Sequence, residues 1–167
     1  MLLARCGGQL RALRVGLALS LTATLLTSAM PAAACELVLR AHRSGMVLQR
    51  LPLEAAAPEL RIAFEHSVLG TTVTDRYRFT PQARLIEEQF EGQGYGLPYA
   101  AAAGEQLIRQ GDGWRLQLDR LVQPLVVRPL AAQRMRLLLT DGELLLSKLS
   151  DQAIEIEASG CSTGRAL

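Results

Sequence analysis

Apolar side chains recur at every second position through most of residues 35–160. Leu60, Ile62 and Phe64 alternate with Arg61, Ala63 and Glu65. Val73, Asp75, Tyr77 and Phe79 fall on one side of an extended segment, and Thr72, Thr74, Arg76 and Arg78 on the other. Trp114, Leu116 and Leu118 repeat the pattern, as do Met135, Leu137 and Leu139, and then Ile154 and Ile156. A period of two is the signature of half-buried strands. Cys35–His42 and Met46–Leu53 can pair through Arg43-Ser44-Gly45, Arg84–Glu91 reads as extended, and Asp141-Gly142 offers a tight hairpin turn into Glu143–Ser147. Turn residues such as Ser44-Gly45, Thr80-Pro81 and Gly111-Asp112-Gly113 return roughly every ten residues, the spacing of all-β folds. Ala100–Gln110 is the best helix candidate, interrupted by Gly104. Short strands without crossover helices predict an all-β fold, a single antiparallel β-sandwich or barrel-like domain.

The first 34 residues differ in kind. Arg5, Arg11 and Arg14 form a basic head without acids, Val15–Leu26 is almost wholly apolar, and Ala32-Ala33-Ala34 precedes Cys35. That order is a secretory signal with a small-residue exit. The apolar run is about a dozen residues, short of the ~20 a spanning helix needs. The expected organisation is a cleaved signal over 1–34 and one β-rich domain over 35–167, exported to the periplasm. Cys6 leaves with the signal, so Cys35 and Cys161 remain. In an oxidising compartment two such cysteines pair. A disulfide is favoured over the alternative, in which Cys35 is lipidated as the first mature residue and anchors the protein to the membrane.

Charge narrows the partners. Three of the 18 basic residues and none of the 16 acidic ones lie in the leader, so residues 35–167 carry a formal charge of −1. This removes the electrostatic case for nucleic acid. Two histidines, His42 and His66, supply a metal site poorly; no metal or cofactor is expected.

Several residues are candidates for chemistry or binding. His66-Ser67 ends a strand; a histidine there can carry protons or donate to a ligand, or it can cap the backbone where the strand stops. Adjacent strand residues point to opposite faces, and there is no G-x-S-x-G turn, so a serine-hydrolase pair is a poor reading. Glu87-Glu88 places one acid inward if both sheet faces are covered, and a buried acid needs a partner such as an arginine or His66. Gly92, Gly94 and Gly96 alternate around Tyr95 ahead of Pro98 and Tyr99. The segment suits either an amide-lined binding loop or a tight connection.

The block Phe64-Glu65-His66-Ser67-Val68, followed by Val73, Asp75 and Tyr77 and then by Glu87, Phe90, Gly94, Gly96, Leu97 and Pro98, resembles the domain-of-unknown-function family numbered 1850. The resemblance covers about Glu36 to Leu149. Tyr95 stands where that family has a small residue, Gln93 where it has an aromatic, and Asp75 where it has Glu. The family is similar to small exported or membrane-attached proteins found alongside tripartite ATP-independent periplasmic (TRAP) transporters of the TAXI type. The resemblance implies a non-enzymatic accessory role in solute uptake, with a transporter permease or a TAXI-type solute-binding protein as partner. It also implies a shared binding face of His66, Ser67, Asp75, Tyr77, Glu87, Gly94, Tyr95, Gly96 and Pro98. Two alternatives stand beside it: a structural envelope protein without a ligand, and a small hydrolase using His66 for acid–base work.

Overall fold

The structure, a computed structural model, describes residues 35–91 and 102–161. In chain order the strands are β1 (Glu36–Ala41), β2 (Val47–Pro52), β3 (Glu59–Glu65), β4 (Thr72–Phe79), β5 (Ala83–Phe90), β6 (Gln106–Gln110), β7 (Gly113–Leu121), β8 (Leu125–Val127), β9 (Arg136–Leu139), β10 (Gly142–Leu145) and β11 (Ile154–Ser159). They build two antiparallel sheets, one in the order β2-β1-β11-β8 and one in the order β10-β9-β3-β4-β5-β7-β6. The expected all-β sandwich is what forms. No helix among the described residues is long and apolar enough to cross a membrane.

The alternating strands explain how the sheets meet. Leu37 and Leu39 of β1 and Ile154 and Ile156 of β11 share one buried cluster with Leu60 and Ile62 of β3, Tyr77 and Phe79 of β4 and Leu137 of β9. Each is the inward half of its strand. Fully burying one such leucine or isoleucine contributes about 1.5–3 kcal/mol. A second cluster of Val73, Phe90, Leu116 and Leu118, with Phe64 and Trp114 packed against it, lies further along the large sheet. Val73 and Tyr77 are both inward residues of β4, so the two clusters occupy the same face.

The opposite face of the large sheet is charged. Glu59 bridges Arg76 (3.1 Å) and Arg78 (2.9 Å), and Arg76 continues to Glu87 (3.2 Å). Arg136 pairs with Glu65 and Glu143. A partly buried face of paired charges is the polar half of the same alternation.

The first and last described strands are neighbours, with Glu36 opposite Ser159. That register sets Cys35 beside Cys161, and the two form a disulfide with Cα atoms 4.2 Å apart. The bridge takes up the thiol that lipidation of Cys35 would need.

Some local expectations are corrected. Ala102–Gln110 is not helical: a turn around Gly104 (φ 90°) leads into β6, which pairs with β7. Gly104 breaks the helical pattern, and an exposed edge of β7 offers the segment backbone partners instead. The β9–β10 hairpin forms, but Leu139 pairs with Gly142, so its loop is Thr140-Asp141, one residue earlier than expected. The extended run ends at Leu145, and Leu146–Lys148 turn as a short 3-10 segment.

One glycine is fixed by packing. At Gly113 an added Cβ would collide with the Phe90 carbonyl oxygen on the neighbouring strand. Because the obstacle is backbone, Gly113→Ala should cost about 1–3 kcal/mol, the range for overpacking. Urea unfolding would show a lowered midpoint with an unchanged slope; a midpoint equal to wild type would contradict this close approach.

Candidate functional site

β3 ends in a hairpin that places His66. The His66 amide donates to the Thr71 carbonyl (2.8 Å), and the Gly70 amide, with Gly70 at φ 64°, donates to the His66 carbonyl (2.9 Å). Glycine meets that left-handed conformation without a Cβ penalty. The His66 Nδ1 accepts from the amides of Val68 (3.3 Å) and Leu69 (3.2 Å). Imidazole therefore caps the loop, and the neutral ring carries its proton on Nε2. Ser67 sits exposed on that loop.

Between the two apolar clusters lies a polar row. Asp75 is inward on β4, between Val73 and Tyr77 in the alternation, and its cross-strand neighbours are Ile62 on β3 and Glu88 on β5. Residues directly opposite in an antiparallel pair share a face. Two carboxyl groups are thus adjacent on the inner face. The Tyr77 hydroxyl donates to Asp75 Oδ2 at 3.0 Å. Asp75 Oδ1 is buried and has no hydrogen-bond partner among the described residues.

Burial is the main force on these groups. It pushes the Asp75 carboxyl up to about 7; the Glu88 charge adds to the rise and the Tyr77 hydrogen bond opposes it. Glu88 is also raised, first by burial, with Arg120 and His66 pulling it down and Glu105 pushing it up. Burial and then Asp75 hold the Tyr77 hydroxyl protonated. Arg120 is itself anchored by a two-pronged contact with Glu105, at 2.6 and 2.7 Å. The row therefore contains a carboxyl near its midpoint at neutral pH, a second raised carboxyl and a phenol donor. It can accept hydrogen bonds or a cation, and it can hold a proton.

Glu87 does not join this group. It is 8 % exposed on the outer face, where Arg76 and the Gln89 side-chain amide (2.8 Å) engage its two oxygens. The cause is a bulge. Phe79 pairs with Ala83 and Tyr77 with Leu85, and a regular ladder from there would set Asp75 opposite Glu87. The register slips by one at Ile86, so Glu88 comes opposite Asp75 and Glu87 turns outward to Arg76. A one-residue slip reverses every side chain beyond it. The structure thus brings together Asp75 and Tyr77, with Glu88 opposite Asp75; it leaves the His66 Nδ1 on its own loop amides, Ser67 on the loop and Glu87 on the other face. Gly94, Tyr95, Gly96 and Pro98 lie outside the described residues.

The sequence does not mark Glu88, Arg120 or Glu105 as site residues. The adjacent acids at 87 and 88 were the signal for Glu88; nothing local marks Arg120 or Glu105. A cleft of about 320 Å³ near this end is lined by Thr72, Thr74, Gln89 and Trp114. Thr72, Thr74 and Gln89 alternate with the inward residues, so that cleft opens chiefly on the outer face and does not contain the carboxyl pair. Among the described residues no group of three His, Cys, Asp or Glu side chains is placed to hold a metal ion.

No curated protein and no solved structure matches the chain. A family model does, that of a domain of unknown function, DUF1850, over residues 60–146. The match runs from β3 through β10 and so includes His66, Asp75, Tyr77 and Glu88: the chain belongs to the DUF1850 family.

Proposed function

We propose that this protein is an exported, non-enzymatic binding domain that assists a TRAP solute uptake system of the TAXI type, contacting the solute or its receptor protein through the inner-face row. The observation that carries this reading is the Asp75–Glu88 pair. Two half-buried carboxyl groups face each other, and the buried Asp75 Oδ1 has no partner among the described residues. Leaving a buried acceptor unsatisfied costs about 1–3 kcal/mol. A fold that keeps such a cost has a use for the group, and a donor or cation from outside the chain would relieve it. The disulfide supports export, since such bridges persist in oxidising compartments. The transporter association rests on the family resemblance.

A second reading treats His66-Ser67 as part of the fold. Its supporting observation is the His66 Nδ1, which caps two loop amides. On that reading His66→Ala costs stability and leaves binding intact.

Affinity capture from native envelopes separates the two. With a C-terminal tag and gentle detergent, the wild type should recover a permease or a solute-binding protein, and the Asp75→Asn/Glu88→Gln variant should lose it. Equal recovery by both would move the contact elsewhere, and recovery of nothing specific by either would contradict the accessory role.

A further inference from the structure

A second concave surface lies at the other end of β3 from His66. β2 is an edge strand of the four-stranded sheet and β10 an edge strand of the seven-stranded sheet. Both edges border one cleft of about 480 Å³. Its floor reaches the core at Leu37 and Leu60, and Leu51, Leu53, Leu138 and Leu139 add apolar lining. That volume lies within the ~300–1,000 Å³ of small-molecule sites, which are apolar with a few placed polar groups.

The charged groups here are all of one sign. Glu54, Glu59, Asp141 and Glu143 line the cleft, and no basic residue does so among the described residues. Glu59 is neutralised by Arg76 and Arg78, and Glu143 by Arg136, on the outer face. Glu54 and Asp141 have no ion pair among the described residues; Glu54 accepts only from the Ala56 amide (3.2 Å). An aliphatic floor under two uncompensated carboxylates is complementary to one kind of ligand. An uncharged apolar molecule would leave the rim unused, and an anion would be repelled by it.

We propose that this cleft binds a small cationic amphiphile, an apolar chain ending in a protonated amine, with the chain between the sheets and the ammonium between Glu54 and Asp141. This site is independent of the inner-face carboxyl pair.

Calorimetric titration of the intact domain with decylamine, decanol and decanoate, each below its micelle concentration at neutral pH, tests it. Decylammonium should bind saturably at one site, about tenfold tighter than decanol, with decanoate weakest. Each rim carboxylate is partly solvated, so Glu54→Gln/Asp141→Asn should weaken decylammonium about threefold to tenfold and leave decanol unchanged. Both substitutions keep a side-chain acceptor, and Asn suits a turn as Asp does, so folding should survive; an unchanged circular dichroism spectrum checks this. Equal affinity for decylammonium and decanol, no saturable binding of decylammonium, or no effect of the double substitution would each overturn the proposal.

Discussion

Asp75→Asn should make this protein more stable at pH 8, by about 2–4 kcal/mol, although it alters a half-buried side chain. In the folded chain burial and the Glu88 charge raise the Asp75 carboxyl to about 7 from a reference of 3.8. Below pH ~4 both folded and unfolded chains hold the proton, and Asp75 costs nothing. Between about 4 and 7 the unfolded chain releases it while the folded chain retains it, so stability falls as pH rises. Above 7 the full cost is present, on the order of 4 kcal/mol for a shift of this size at ~1.4 kcal/mol per unit. Asparagine removes the charge and keeps an oxygen for the Tyr77 hydroxyl. Urea unfolding at pH 4.5 and pH 8 should therefore show a small difference between wild type and variant in acid and a large one in base. Glu88, raised in the same direction, steepens the wild-type decline. A difference of equal size at both pH values would mean that Asp75 is not held in its protonated form. A residue whose removal strengthens the fold is the pattern expected where stability is traded for a binding task.

Removing the disulfide should have the opposite and larger consequence. Cys35 and Cys161 are 126 residues apart in the chain, and closing so long a loop contributes about 4–5 kcal/mol in the chain-entropy model. The native bridge also clamps β1 to β11, whose Leu37, Leu39, Ile154 and Ile156 belong to the inter-sheet cluster. The double variant Cys35→Ser/Cys161→Ser, which leaves no odd thiol, should lose most of that amount in urea unfolding. Under reductant the wild type should approach the variant. A loss below about 1 kcal/mol would show that residual structure in the unfolded chain already holds the ends together.

The fold was legible because its strands alternate cleanly. Leu60–Ile62 and Val73–Phe79 display their buried faces in the residue order alone, although Ala63, on the polar side of the alternation, is buried as well. Where the pattern is short it fails. Leu125–Val127 has three residues and no second period to read. Gln106–Gln110 becomes a strand through its pairing with β7, a long-range partner that a local window does not contain. The site was less legible than the fold for one reason. Whether Glu87 or Glu88 faces Asp75 depends on a bulge at Ile86, and nothing in the local composition of Leu85–Glu88 announces it. Likewise Arg120 comes from β7, a strand that a local window around Glu88 does not contain. His66 follows the end of β3, as the alternation implies, and the structure adds the acceptor role of its Nδ1.

The most direct measurement is a carboxyl-carbon NMR titration of Asp75 in the wild type and in Glu88→Gln. If Asp75 and Glu88 form one inward-facing pair between the two apolar clusters, the wild-type Asp75 resonance should titrate near 7. The Glu88→Gln variant, with the like charge removed, should titrate lower while staying above the ordinary aspartate range. An Asp75 midpoint near 4 in the wild type, unmoved by the change at Glu88, would show a solvated, uncoupled carboxylate and would contradict the site.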